Sequence, residues 1–162
     1  MVWIDPLDGT KEFVNGNLSA VTVLIGLAID GLPKLGVVHH PFRINENDGT
    51  GLTMFATQEH GLFHLDYNKT MTKSDLESRV PTYMEPFDPR QEFSEDYKLK
   101  VGASLSNFNA LMQKYIDNIE PVEVCRLGGA GNKVNRIALK EVESYVQPRP
   151  GLGFWDICAP EA

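Results

Sequence analysis

Two aspartates separated by two residues lie near the start of the chain, in a segment that reads VWIDPLDGT over residues 2–10. The apolar residues around Asp5 predict a strand that fixes this carboxylate, and a turn would return Asp8 to the same side. Two close carboxylates repel each other unless a cation lies between them. Gly9 permits a close backbone approach, and Thr10 adds a hydroxyl beside free N–H groups, which suits phosphate oxygens. The segment predicts a metal and phosphate site at a strand end.

Other interpretations of this segment are a bare turn and two unrelated acidic motifs. Asp-Pro followed by Asp-Gly is a common turn composition. Phosphatases of the haloacid-dehalogenase type carry an aspartate nucleophile in an Asp-x-Asp pattern, whereas Pro6 and Leu7 separate the two aspartates here. The EF-hand pattern needs acids at alternating positions and a later glutamate. The spacing disfavours both a covalent aspartyl-phosphate and a calcium loop.

A glycine-rich segment, GGAGNK at residues 128–133, lies between a predicted strand and a predicted helix. Free N–H groups at the start of a helix favour an anion. The segment is not a Walker A loop, because Val134 rather than serine or threonine follows Lys133. A tight turn with a solvated lysine explains the same residues equally well.

Asp156 is the third acidic candidate, next to the large aromatic ring of Trp155. The residue is either a helix N-cap or a metal ligand. The two roles are compatible, since a capping carboxylate can still offer an oxygen to a cation.

The composition predicts a soluble globular protein, with 162 residues, 42% of them hydrophobic, and a net charge of −7. Such a charge argues against binding to a nucleic-acid backbone. We expect no membrane span, because no apolar stretch approaches about 20 residues, and without a secretory signal we expect a cytoplasmic location. Cys125 and Cys158 form no paired motif and are expected to be reduced thiols. The four histidines meet no metal-ligand spacing and are expected to be structural or solvated.

The elements that would position these residues begin with a strand over 20–30, where apolar residues alternate with a period of two. We expect the face of Val21, Val23, Ile25, Leu27 and Ile29 to enter the core. A turn at Asp30 and Gly31 leads to a returning strand over 34–40, which Pro41 should close. Shorter strands at 52–57 and 61–65 extend this antiparallel sheet.

The later part of the chain alternates strands and helices. Strands are predicted at 99–104, 122–127 and 144–146, and a helix over 108–119 should begin at an N-cap, Ser106. We therefore expect a layered α/β fold in two parts. Residues 1–98 form an antiparallel sheet that carries the first metal motif, with a long polar loop over 66–98. Residues 99–162 form a smaller α/β layer that carries the glycine loop and the second metal motif.

Three motifs, in this order, resemble those of the inositol monophosphatase superfamily of metal-dependent, lithium-sensitive phosphatases. They are WIDPLDGTKEF at 3–13, GGAGNK at 128–133 and WDICAPE at 155–161. Within that superfamily they are most similar to 3′(2′),5′-bisphosphate nucleotidases, which hydrolyse 3′-phosphoadenosine 5′-phosphate to AMP and phosphate. The resemblance implies the layered α+β sandwich of these phosphatases.

The resemblance also implies a metal site. Asp5 would bridge two Mg²⁺ ions, the carbonyl of Leu7 would bind one of them, and Asp8 and Asp156 would hold the other. Lithium would inhibit the enzyme. Paired magnesium ions activate water and neutralise phosphate, so no covalent enzyme intermediate is required.

The substrate contacts that the resemblance implies lie on both halves of the chain. Thr10 and the amides of Gly9 and Thr10 would bind the scissile phosphate, and Thr10 would also orient the attacking water. Ser104, Gly129 and Lys133 would contact the substrate, with Lys133 directed towards a second phosphate. The ligand is thus expected to be a small phosphorylated molecule.

The chain departs from the pattern of the superfamily in two ways. Members are longer, supplying an upstream Glu-Glu ligand and later strands, so we expect a chain truncated at both ends. Leu105 stands where such nucleotidases place a histidine. Two other functions stay open: an inositol mono- or polyphosphate phosphatase, and an inactive remnant that binds only metal and phosphate. The oligomeric state is not predicted.

Overall fold

The computed structural model describes residues 1–44, 50–68, 70–86, 94, 96–105, 108–119, 122–147 and 151–162. Its first sheet is antiparallel, with six strands in the order β1-β2-β3-β4-β5-β6. The strands are β1 (Val2–Asp8), β2 (Thr22–Ile29), β3 (Leu32–Ile44), β4 (Thr50–Thr57), β5 (Gly61–Asn68) and β6 (Thr82–Tyr83). A short helix α1 (Thr10–Val14) and a 3₁₀ turn (Leu18–Ala20) connect β1 to β2.

The turn between β2 and β3 is confirmed. Asp30 and Gly31 have positive φ values of 52° and 78°. Positive φ at both central residues is the geometry of a type I′ turn, one of the two common two-residue hairpin turns, whose twist matches that of the paired strands.

The face of β2 that we expected in the core is largely the wrong one. Val21 is buried, but Ile25 and Ile29 are 38% and 50% exposed, whereas Thr22 and Leu24 are fully buried. The glycines of the sheet explain this choice of face, as a Cβ at Gly36 would lie 1.9 Å from the carbonyl oxygen of Ala159. The C-terminal segment therefore packs closely against the small-residue side of the sheet.

The strand expected to close at Pro41 continues to Ile44. Its pairing with β4 shifts register between His40 and Ile44. Proline lacks an N–H group and is tolerated where a bulge interrupts the ladder. Pro41 therefore ends the regular pairing, while the strand itself continues.

The segment 66–98, expected to be a long polar loop, contains regular structure. Besides the end of β5 and strand β6, it forms helix α2 (Lys73–Ser78). The N–H of Thr72 donates to the carboxylate of Asp75 at 2.8 Å, and the N–H of Asp75 donates to the Thr72 hydroxyl at 3.2 Å. This reciprocal capping starts a short polar helix that has no apolar periodicity.

The second sheet is parallel, with three strands in the order β8-β7-β9. It contains β7 (Leu99–Ser104), β8 (Val122–Leu127) and β9 (Ser144–Val146), joined by helices α3 (Ala110–Asp117) and α4 (Ala130–Ala138). The predicted antiparallel sheet followed by a smaller α/β layer is confirmed. Ser106 lies outside the described residues, and the N-cap of α3 is Asn109, whose Oδ1 accepts from the N–H of Met112 at 2.9 Å.

Helix α4 and the last helix, α5 (Phe154–Ile157), connect the two halves. Helix α4 contacts β2 and β3 of the first sheet and β7 and β9 of the second, while α5 contacts β1 and β2. The elements that carry the predicted site therefore meet at one edge of the large sheet. In the described parts of the chain, no helix has the length and apolar character needed to cross a membrane.

Candidate metal and phosphate site

A bulge in β1 brings the first two aspartates to the same face. In a regular strand, residues three apart point to opposite faces. Here Asp5 pairs with Leu24 and Asp8 pairs with Thr22, so one extra residue is inserted between the two pairs. An inserted residue restores the common face. The two-residue spacing of the motif therefore places both carboxylates on one face only because β1 contains the bulge.

Asp8 is a buried carboxylate that accepts three hydrogen bonds from the described part of the chain. Its Oδ1 accepts from the N–H of Ala130 at 3.0 Å, and its Oδ2 accepts from the N–H of Gly131 at 2.8 Å. The Thr22 hydroxyl donates to Oδ2 at 2.6 Å. Asp8 therefore caps the N-terminus of α4 from 122 residues away in the sequence.

This contact changes the interpretation of the glycine loop. We expected its N–H groups to be available to an external anion, but those of Ala130 and Gly131 are bonded to Asp8. Gly129 has φ of 68°, and a Cβ there would lie 2.3 Å from the carbonyl oxygen of Ala20. The anion at this helix terminus is the protein's own carboxylate, and glycine is needed to bring the loop so close.

Asp156 joins these residues from α5. Its carboxylate accepts from the N–H of Gly153 at 2.6 Å, which makes Gly153 the N-cap residue and places Asp156 in the first turn. The interpretation of Asp156 as the N-cap residue is wrong, although its carboxylate does accept from the N-cap N–H; the metal-ligand interpretation stays open. One oxygen of Asp156 lies within 4.8 Å of oxygens of Asp5 and Asp8. We call these three residues the acidic cluster.

Burial and neighbouring negative charge disfavour the ionised forms of Asp5 and Asp156. Burial raises the pKa of Asp5, the N–H of Leu7 partly offsets this, and the charge of Asp8 raises it further. Burial also raises the pKa of Asp156, and the charges of Asp8 and Asp5 add to that effect. A cation between the three groups would reverse these shifts. Carboxylate oxygens are the ligands that hard divalent cations prefer.

The remaining residues of the first motif are held beside the cluster. The N–H of Leu7 donates to Asp5 Oδ1 at 3.0 Å, and the Thr10 hydroxyl donates to the Leu7 carbonyl at 3.1 Å. Gly9 adopts the left-handed conformation, with φ of 80°, immediately before α1 begins. The side chain of Thr10 is exposed, so it is accessible to a ligand.

The second half of the chain contributes Lys133 to this region. Its side chain is buried, its Nζ lies 4.7 Å from the ring centroid of Tyr145, and its charge lowers the pKa of Asp156. Ser104 and Leu105 lie at the end of β7, where Ser104 pairs with Leu127 of β8. Ser104 is buried, whereas Leu105 is 48% exposed. The structure thus brings Lys133 near the acidic cluster and places Ser104 on the second sheet.

Thr22 is a site residue that the sequence did not indicate. The period-two pattern predicts that the apolar residues on either side of Thr22 are buried. It therefore predicts that the Thr22 hydroxyl, on the opposite face of β2, faces solvent. The sequence feature that could have indicated Thr22 is its position as the polar first residue of an otherwise apolar strand.

The whole chain, residues 1–162, matches the model of the inositol monophosphatase family. The curated relatives include 3′(2′),5′-bisphosphate nucleotidase 1 of Dictyostelium discoideum, 32% identical over 100% of this chain and 48% of the relative. The mouse protein of the same name is 30% identical over 99% of this chain and 46% of its own length. The chain thus spans about half the length of these relatives.

Among solved structures, CysQ from Bacteroides thetaiotaomicron superposes with a TM-score of 0.74. The two sequences are 24% identical, and the match covers 99% of this chain and 56% of CysQ. At this identity the likeness supports the fold alone, and that fold agrees with the two-sheet architecture described above. Because the family model matches from the first residue to the last, and the acidic cluster draws on both ends of that match, the chain belongs to the inositol monophosphatase family.

Proposed function

We propose that this chain carries the catalytic site of a magnesium-dependent phosphomonoesterase. The substrate would be 3′-phosphoadenosine 5′-phosphate, and the products AMP and phosphate. The observation that carries the proposal is the acidic cluster, in which oxygens of Asp5, Asp8 and Asp156 lie within 4.8 Å of one another. These carboxylates come from two distant parts of the chain.

The donor set fits magnesium. In the described part of the chain, Asp8 Oδ1 accepts one hydrogen bond and retains a lone pair for a cation. The carbonyl of Leu7 accepts the Thr10 hydroxyl and likewise has a second lone pair. Asp5, Asp8, Asp156 and this carbonyl would hold the metal. Bound magnesium would supply Lewis-acid chemistry, neutralising the phosphate and activating water.

Thr10 would bind and orient the groups that react. Its hydrogen is donated to the Leu7 carbonyl, so its oxygen can only accept a further hydrogen bond. A water molecule that donates to this oxygen would have a lone pair free to attack phosphorus. The amides of Gly9 and Thr10 would bind the scissile phosphate from the same side.

Lys133 supports a substrate with two phosphate groups. A buried ammonium near the acidic cluster is a point charge suited to a second phosphate. The names of the curated relatives agree with a bisphosphate nucleotide. Gly129 and Ser104 would contact the nucleotide, and a cytoplasmic location belongs to the same proposal.

Leu105 favours a second candidate, an inositol phosphatase. This half-exposed side chain at the end of β7 cannot form the hydrogen bonds to a nucleotide that a histidine would form. A substrate without a base would not need them. The two candidates share the acidic cluster and differ only in what lies beyond the phosphate.

The test compares phosphate release from the bisphosphate nucleotide and from inositol 1-phosphate, with and without Mg²⁺. We expect magnesium-dependent release from the nucleotide, reduced in Asp5→Asn by more than about 100-fold, beyond the loss typical of outer-shell partners. Asp30→Asn, in the exposed β2–β3 turn, is the matched control and should keep the wild-type rate. Faster release from inositol 1-phosphate would replace the first candidate with the second. Magnesium binding without turnover would identify a binding remnant and contradict both.

A further inference from the structure

We propose that Thr22 is a positioning residue for the metal-site carboxylate of Asp8, and that its hydroxyl selects the oxygen that Asp8 offers to the cation. The inference rests on the proposed function, because Asp8 is taken there as a metal ligand. It concerns a residue on β2 that lies outside the three sequence motifs. Its role would be to orient the ligand without touching metal or substrate.

The contact between the two side chains is short and enclosed. Thr22 is fully buried, Asp8 is 5% exposed, and the hydroxyl donates to Asp8 Oδ2 at 2.6 Å. This is the distance of a charge-assisted hydrogen bond from a hydroxyl to a carboxylate, which is about twice as strong as one between neutral groups. At such a buried position, loss of the donor cannot be compensated by bulk water.

The three bonds to Asp8 are shared unequally between its oxygens. In the described residues, Oδ2 accepts from both Thr22 and the N–H of Gly131, whereas Oδ1 accepts only from the N–H of Ala130. A carboxylate oxygen has two lone pairs in the carboxylate plane. Both are used on Oδ2, so Oδ1 is the oxygen that remains for a cation. Without the hydroxyl, each oxygen would accept one N–H bond and keep one lone pair, so either oxygen could bind the cation.

The packing around Thr22 indicates that this arrangement is tightly constrained. A Cβ at Gly131 would lie 2.7 Å from the Thr22 hydroxyl oxygen and 2.4 Å from Leu24 Cδ2. The absence of a side chain at Gly131 thus makes room for the hydroxyl at the start of α4. Threonine is also stiff at χ1, so its hydroxyl is held in one direction.

A purely structural role for Thr22 predicts a different result. If the hydroxyl only joined β2 to α4, its loss would lower stability and leave the affinity of the folded protein for metal unchanged. If it orients Asp8, its loss weakens metal binding even in protein that is fully folded. Affinity and stability must therefore be measured on the same variants.

The experiment compares Thr22→Val, which removes the hydroxyl at nearly constant volume, with Thr22→Ser, which keeps it. Mg²⁺ is titrated into each folded protein by calorimetry, and the Mg²⁺ concentration for half-maximal phosphate release is measured separately from kcat. We expect Thr22→Val to bind Mg²⁺ roughly 10- to 100-fold more weakly, the usual cost of losing an outer-shell partner. Thr22→Ser should recover most of the affinity. Thr53→Val is the matched control, since Thr53 lies on β4 and its hydroxyl contacts His39 of β3, outside the acidic cluster.

Wild-type affinity in Thr22→Val would overturn the inference, as would equal weakening in Thr22→Ser or Thr53→Val. If Thr22→Val does not fold, Thr22→Ala and Thr22→Ser are compared by the same criterion. A wild-type protein that binds no Mg²⁺ would overturn the proposed function and this inference together. Binding by the wild type with no effect of the hydroxyl would overturn the inference alone.

Discussion

The carboxylate of Asp8 accepts a hydrogen bond from the main-chain N–H of Gly131 at 2.8 Å, across 123 residues of sequence. The first motif and the glycine loop are therefore one structural unit, in which a β1 side chain caps a helix in the other half. The same carboxylate belongs to the acidic cluster. A change in the position of the Asp8 carboxylate must therefore affect both the geometry of the metal site and the first turn of α4.

Replacing Asp8 tests this connection. In Asp8→Asn the amide has one accepting oxygen, and its NH₂ group would face a donor from Thr22, Ala130 or Gly131. An unsatisfied buried donor costs about 1–3 kcal/mol, and relief of charge repulsion offsets part of that. We expect lower stability in urea and faster hydrogen exchange at the Ala130 and Gly131 amides. Asp66→Asn, on a half-exposed β5 side chain, should change neither, and unchanged exchange in Asp8→Asn would refute the capping role.

Asp5→Asn should have the opposite effect on stability in the absence of metal. Burial and the nearby charge of Asp8 raise the pKa of Asp5, so its ionised form is disfavoured in the folded protein at neutral pH. A neutral amide removes that cost while keeping a group that accepts from the N–H of Leu7. We expect a higher melting temperature without Mg²⁺, and loss of the increase that Mg²⁺ gives the wild type. A melting temperature lower than that of the wild type in both conditions would contradict this account.

The sequence alone predicted the site residues that lie close together in the chain, and did not predict contacts between distant ones. Asp5 and Asp8 lie at one strand end, so residue type and spacing were sufficient to group them. The proximity of Asp156 followed only from the resemblance, because local sequence does not specify how α5 packs against β1. Thr22 was missed for a related reason. Alternation shows which residues share a face of β2, whereas the covered face is decided by tertiary packing on residues such as Gly36.

The fold was predictable where the patterns were long. Alternating strands and the β-α-β order of the second half gave the two layers correctly. Helix α2 was missed because six residues with a single apolar side chain, Leu76, have no amphipathic period, although Thr72 and Asp75 carry a capping signature. Pro41 led to the opposite error, a strand predicted too short, because a proline at a bulge does not end a strand.

The pH dependence of stability should report on His40. Its side chain is fully buried and its Nε2 lies 2.8 Å from Asn135 Nδ2. Burial, with added repulsion from Arg43 and Arg136, lowers its pKa from 6.5 to about 4. The unfolded chain therefore binds a proton at higher pH than the folded one does. Stability is full above about pH 6.5 and falls as the pH drops towards 4, by on the order of 3 kcal/mol.

Urea unfolding at several pH values measures this effect. His40→Gln can still accept from Asn135 but does not titrate, so its stability should fall less between pH 6.5 and 4. His60→Gln, in the exposed β4–β5 turn, should follow the wild-type curve. Parallel curves for wild type and His40→Gln would contradict this account, because they would show that folding does not lower the pKa of His40.

Gly129 and Gly16 form a matched pair for testing the close approach of the glycine loop. Both have positive φ, 68° and 77°, but a Cβ at Gly129 would lie 2.3 Å from the Ala20 carbonyl oxygen, whereas Gly16 has nothing within 4 Å. Gly16→Ala should cost only the backbone strain, about 1–2 kcal/mol. Gly129→Ala adds a clash with main chain that cannot rotate away, so we expect more than about 3 kcal/mol. Because the loop would have to move from Asp8, Gly129→Ala should also weaken Mg²⁺ binding. Equal losses of stability in the two variants would contradict this account, because they would show that a Cβ at Gly129 can be accommodated.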